Sequence, residues 1–152
     1  MTIPEKLTIT ADGGSRGNPG PAACAFAVWD SASFGTPTAQ PLHQQGFYLG
    51  KTTNNQAEYK GFLASLRWLE KLPHPPTHVH WQMDSMLVVE QMNGRWKIKN
   101  LHLQIIYDQC QQLLSQLFPD GNYSISHAPR SQNSVADTLV NLTLDQHIRH
   151  HR

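Results

Sequence analysis

The sequence predicts an α/β domain with a mixed five-stranded sheet, three strands antiparallel and two parallel, and helices on both faces. Two observations predict it. Three strand-like segments joined by turn-rich stretches fill the first fifty residues, the pattern of an antiparallel meander. From residue 56 the apolar period becomes helical, and each later strand follows a helix, which calls for crossovers and parallel pairing. The order reads βββαβααβα. A length of 152 residues fits a single domain over 1–152, with 5–145 as its core and 146–152 as a flexible tail.

In the first segment, "KLTITAD", Leu7, Ile9 and Ala11 alternate with Thr8, Thr10 and Asp12, the period of a strand. "AACAFAVWD" (22–30) is more apolar and is expected to be more central. "SASFGTPTAQP" is a loop by its Pro, Gly and Ser content, and "LHQQGFYLG" (42–50) closes the meander. A helix is expected from Gln56 to Leu72, with Ala57, Tyr59, Phe62, Leu66 and Leu69 among its apolar positions, and "PHPPT" (73–77) ends it. "HVHWQMD" (78–84) is the fourth strand and "SMLVVEQMNG" a short helix stopped at Gly94. "LHLQIIYDQCQQLLSQLF" is a long helix with Ile106, Cys110, Leu113 and Leu117 on one face. "NYSISHA" is the fifth strand, and a last helix starts near residues 131–134.

Composition narrows the function classes. The formal net charge is +1, so a nucleic-acid partner must be met by local rather than global charge. Cys24 and Cys110 sit in apolar runs without metal-ligand spacing, as reduced packing residues do. No stretch approaches the ~20 apolar residues of a membrane span, and "MTIPEKLTIT" lacks a signal-peptide core. The expectation is a soluble, cytoplasmic protein, a monomer without membrane contact. His147, His150 and His151 fall in the tail, where fraying is the expected behaviour.

Four acids stand at element ends. Asp12 ends the first strand and Asp84 the fourth; Glu58 and Asp137 open helices. Each has an ordinary explanation. Asp12 before Gly13-Gly14 suits an Asx turn, and Asp84 suits a helix cap. "NQAE" (55–58) suits a capping box with Asn55 at the cap, and Asp137 complements a helix dipole. Together they say more. Adjacent parallel strands bring Asp12 and Asp84 to one sheet edge, and clustered carboxylates repel unless a cation lies between them. Oxygen-only donors suit Mg²⁺ or Mn²⁺ rather than zinc.

With these residues in place, the chain resembles the type 1 ribonuclease H family, in the bacterial and archaeal branch without the basic protrusion. "DGGSRGNPGPA" (12–22), "TTNNQAEYKG" (52–61), "MDSMLVVEQMNGRWKIKN" (83–100) and "HAPRSQNSVADTLVN" (127–141) match in order and spacing. The resemblance implies a ribonuclease H-like fold and cleavage of the RNA strand of an RNA–DNA hybrid, giving 5′-phosphate and 3′-hydroxyl ends. It makes Asp12, Glu58, Asp84 and Asp137 the ligands of two divalent ions, Mg²⁺ or alternatively Mn²⁺, and His127 a proton-moving or product-releasing histidine.

Asn18, Thr53, Asn54 and Asn55 lie in segments whose family counterparts touch sugar–phosphate backbones. Two departures stand out. Met86 occupies a position where the family often carries Gln, which alters a minor-groove contact. "NGRWKIKN" replaces a longer basic segment, leaving Arg95, Trp96 and Lys97 as a small patch that either meets phosphates or is a solvated loop with Trp96 packed inward. Arg16 meets either phosphate or solvent. The competing functions are a broader nuclease that also cuts RNA–RNA duplexes, and a non-catalytic hybrid-binding module.

Overall fold

The computed structural model describes residues 2–150 and contains one five-stranded sheet in the order β3-β2-β1-β4-β5. β1 (Lys6–Ser15), β2 (Gly20–Asp30) and β3 (His43–Thr52) form the antiparallel meander, while β4 (His78–Met83) and β5 (Tyr123–His127) join β1 in parallel. The most apolar strand is not the central one. β2 lies second from the edge, and β1 takes the centre because both the meander and the first crossover pair with it.

Helices α1 (Asn54–Glu70), α2 (Met86–Met92), α3 (Leu101–Leu117) and α4 (Ser134–His150) follow the expected order, with a 3₁₀ turn at Arg130–Gln132. Alternation along β2 separates two cores. Phe26 and Val28 share the larger one with Leu7, Ile9, Phe62, Leu66 and Leu114, under α1 and α3. Ala23 and Ala25 face the other way and pack against Val140 and Leu144 of α4. The small alanines let α4 sit close to the sheet.

Trp81 on β4 is fully buried, edge-on to Phe62 at 5.2 Å, and its indole N–H donates to Ser65 Oγ at 2.9 Å. A buried indole without that acceptor would be costly. Burial pushes the thiols of Cys24 and Cys110 up to about 12, so both are inert packing groups as expected.

Helix ends use their own side chains. The Asn100 side chain accepts the Leu103 N–H at 3.1 Å to start α3. α2 ends at Asn93 with Gly94 at φ +76°, where the Gly94 and Arg95 amides return to the Gln91 and Glu90 carbonyls. That is a Schellman stop, as the glycine suggested. α4 runs past the expected core boundary at residue 145, through residue 150, and His147 stacks on Tyr48 with centroids 3.6 Å apart. An aromatic neighbour on β3 therefore extends the helix past residue 145. His151 lies outside the described residues.

Candidate active site

The parallel ladder of β1 and β4 ends at the Ala11–Met83 pair, and the next residue of each strand is an acid, Asp12 and Asp84. β1 does not stop there. It continues beside β2 as far as Ser15, so Asp12 lies in mid-strand, 7% exposed, and not in an Asx turn. Asp84 does not cap α2 either. Ser85 does, its hydroxyl accepting the Val88 N–H at 3.3 Å.

Glu58 reaches this edge because α1 lies hard against β1. A Cβ on Gly13 would fall 2.1 Å from the Ala57 carbonyl oxygen, and one on Gly61 2.4 Å from that of Asp12. Only glycine permits such an approach. The helix also begins earlier than the Asn55 cap implies. Thr53 is the N-cap and accepts the Gln56 N–H at 3.2 Å, while the Gln56 side chain meets the Thr52 hydroxyl. Thr53-x-x-Gln56 is the S/T-x-x-E/Q pattern two residues upstream. Glu58, in the second turn, is released from capping and accepts instead from Asn54 Nδ2 at 3.2 Å.

Asp137 stands in the first turn of α4, and Arg130 Nη2 donates to its Oδ1 at 2.9 Å. The segment that brings it there is stitched to both carboxylate-bearing strands. Ala128 N–H donates to Met83 O at 3.0 Å, and Asn133 Nδ2 to Ala11 O at 2.9 Å. Each of those carbonyls lies one residue before an acid.

Asp12, Glu58, Asp84 and Asp137 thus line one cavity of about 400 Å³, with His127 at its wall. Burial foremost, and then the neighbouring Asp84 with smaller contributions from Asp137 and Glu58, pushes Asp12 up to about 8. Burial also raises Glu58, with Asp84 adding, while hydrogen bonds from Ser85 and Asn54 hold it back. Among the described residues, no three acid, His or Cys side chains stand close enough to grip an ion as they are. The donor chemistry nevertheless fits a hard divalent cation. All four groups are carboxylates, and their mutual repulsion is the load a dication relieves.

Asn54 lines this cavity and is tied to Asn18, while Thr53 is taken up in capping α1. The Asn18 side chain accepts the Asn54 N–H at 3.0 Å, and Asn54 Oδ1 accepts the Ser15 N–H at 3.2 Å. Asn55 is exposed at the start of α1. Arg16, which the sequence left between phosphate and solvent, pairs with Asp145 of α4 at 2.7 Å.

Arg95, Trp96 and Lys97 do not reach the carboxylate cavity and line another, next to Gln91 and Tyr107. Arg95 is clamped by both oxygens of Glu90, at 2.6 and 2.7 Å. Trp96 is 48% exposed rather than packed inward. Its loop is held from below: Tyr59 Oη donates to Gln91 Oε1 at 2.7 Å, and Gln91 Nε2 to the Lys97 carbonyl at 3.1 Å. Met86 is exposed as well. The sequence reading passed over Ser85, Arg130 and Asn133. Only position could have signalled them, since each lies within seven residues of an acid.

Comparison with known proteins agrees with this geometry. The family described as "Reverse transcriptase-like" matches residues 12–143. The "Bifunctional protein Rv2228c" of Mycobacterium tuberculosis is 46% identical over 140 residues, 92% of this chain and 36% of that protein. "Ribonuclease HI" of Halobacterium salinarum is 37% identical over 134 residues, 88% of this chain and 62% of that protein. The chain therefore spans about a third of its mycobacterial relatives. Among solved structures, the N-terminal RNase H domain of the M. tuberculosis protein superposes with a TM-score of 0.83 at 41% identity, covering 97% of this chain and 99% of that one. LC11-RNase H1 in complex with an RNA/DNA hybrid gives 0.82 at 34%, covering 93% and 99%. A sheet of this order, four carboxylates at its edge and relatives over nearly the whole length lead to one assignment: the chain belongs to the type 1 ribonuclease H family.

Proposed function

We propose that this protein is an endoribonuclease that hydrolyses the RNA strand of RNA–DNA hybrids and leaves 5′-phosphate and 3′-hydroxyl ends. One observation carries the reading: Asp12, Glu58, Asp84 and Asp137, from β1, α1, the end of β4 and α4, line a single cavity. The relative solved with a bound RNA/DNA hybrid supports the substrate class.

The four carboxylates would hold two divalent ions, Mg²⁺ or Mn²⁺, with Asp12 shared between them, Glu58 and Asp84 on the leaving-group side and Asp137 on the nucleophile side. Such a pair supplies an activated water and charge stabilisation for the departing 3′ oxygen. The protein's own part is to hold the acids in place and open to the duplex. Asp12 is held on a strand paired on both sides, and Glu58 is oriented by Asn54. His127, exposed at the cavity wall, would move a proton during product release.

The hybrid would be gripped by shape and 2′-hydroxyls across its minor groove. Asn18, Asn54, Asn55 and Thr53 would sit at the sugar–phosphate backbones, and Trp96 with Lys97 farther along. The protein would act as a monomer in the cytoplasm. No helix among the described residues is long and apolar enough to cross a membrane.

The test compares cleavage of RNA–DNA hybrid, RNA duplex and DNA duplex with Mg²⁺ and with Mn²⁺, for the wild type and Asp12→Asn. Hybrid cleavage lost in Asp12→Asn is the expected result. Equal cutting of RNA–RNA would establish the broader nuclease, and hybrid binding without cleavage would establish the non-catalytic module.

A further inference from the structure

Asn133 sits immediately before α4, where an asparagine ordinarily turns its side-chain oxygen onto an N–H of the helix's first turn. This one does not. Its Oδ1 is buried without a partner among the described residues, and its Nδ2 donates across the fold to Ala11 O at 2.9 Å. The residue is 2% exposed. Its main-chain carbonyl accepts the Asp137 N–H at 3.1 Å. Asn133 therefore spans from the residue preceding Asp12 to the amide of Asp137 itself.

The position of that bond is informative. β1 and β4 part after Ala11 and Met83, so β4 offers no further partner to a carbonyl at the fork. Ala128 N–H takes the Met83 carbonyl, and the Asn133 amide takes the Ala11 carbonyl. A helix cap is given up and an acceptor left unpaired, both unfavourable to stability, for a donor placed at the fork. Stability alone does not account for such an arrangement.

We propose that Asn133 is a positioning residue that fixes Asp137, and with it α4, at a set distance from Asp12, so that the last carboxylate meets the others when a divalent cation binds. The proposal rests on the carboxylates forming a cation site, as in the proposed function. It predicts that loss of the Nδ2 donor loosens Asp137 relative to Asp12 and weakens cation capture without touching substrate contacts. In Asn133→Leu the size is kept and the donor lost; in Asn133→Asp the shape is kept and the acceptor alone remains. Asn133→Gln retains the donor on a longer arm.

The experiment uses the full chain and three readouts: Mn²⁺ binding by calorimetry, kcat and KM on an RNA–DNA hybrid, and thermal stability. Ser65→Ala serves as the comparison, because it removes a buried bond to Trp81 far from the acids. Expected are Mn²⁺ affinity weakened about tenfold or more and kcat lowered about thirtyfold in the Leu and Asp variants, sizes suited to a lost supporting contact. KM should stay within about twofold and the Gln variant should recover part of both losses. Ser65→Ala should lose Tm with Mn²⁺ affinity unchanged. Leu and Asp variants that lose Tm but bind Mn²⁺ and turn over like the wild type would overturn the proposal. A wild type that binds Mn²⁺ but cuts no hybrid would sink the proposed function, while the calorimetry would still decide the role of Asn133.

Discussion

Arg130 donates to Asp137 at 2.9 Å across the mouth of the carboxylate cavity, and its charge also acts on Asp12, Asp84 and Glu58. The guanidinium is mostly solvated, at 74% exposure, so its hold on the carboxylate is modest. It nonetheless competes with any dication for the same group. Arg130→Gln should therefore bind Mn²⁺ about two- to fivefold more tightly in calorimetry at low salt, and the gain should shrink as salt screens the charge. Equal affinity at low salt would contradict a competing role.

The contact of α1 with β1 gives a sharper contrast. A methyl on Gly13 or Gly61 would collide with a main-chain oxygen, whereas one on Gly14 would find its nearest neighbour at 3.6 Å. Gly13→Ala and Gly61→Ala should each cost about 1–3 kcal/mol and should lower hybrid cleavage by moving Glu58 away from Asp12. Gly14→Ala should be nearly neutral in denaturant melts and in turnover.

Burial of Asp12, reinforced by repulsion from its neighbouring acids, sets a pH dependence in the metal-free protein. Asp12 is raised in the fold, so the folded state holds its proton where the unfolded chain has released it. Stability from this group therefore declines as pH rises from about 4 to about 8. Asp12→Asn removes the decline. At pH 8 without metal it should melt about 5 °C or more above the wild type, and below pH 4 the two should coincide. Saturating Mg²⁺ should stabilise the wild type more than the variant.

Binding by so few free cations should be weakly salt-dependent. Arg95 is already spent on Glu90 and Arg16 on Asp145, leaving Lys97 and Lys99 exposed beside Trp96. A titration of hybrid affinity against salt should give a log–log slope of about −3 or shallower. Trp96→Ala should weaken binding by about 1–3 kcal/mol without changing that slope, and Lys97→Ala should make it shallower.

The elements were legible because alternation and helical period dominate their sequences, and the acids because four of them stood at element ends in family motifs. What the sequence misjudged was local competition for backbone groups. Asn55 looked like a cap, but Thr53 lies two residues earlier with its own partner, Gln56. Asp12 looked like a turn former because Gly13 and Gly14 follow it. Both glycines instead continue the strand, and Gly13 lets α1 approach. β2 looked central by its apolarity, which reflects burial on both faces and not its place in the sheet order. The partner of Asn133 left no trace, since its bond joins residues 122 positions apart. The length of α4 was not legible either, because the Tyr48 ring that stacks on His147 belongs to β3.

The two cysteines have a practical consequence. Both thiols are buried and held in the protonated form near neutral pH, so maleimide reagents should find almost nothing to modify in the folded wild type. A cysteine introduced at an exposed position of the 94–100 loop would be the single fast-reacting handle. A fluorophore there would report directly when a duplex settles against Trp96, with no need to delete native residues first.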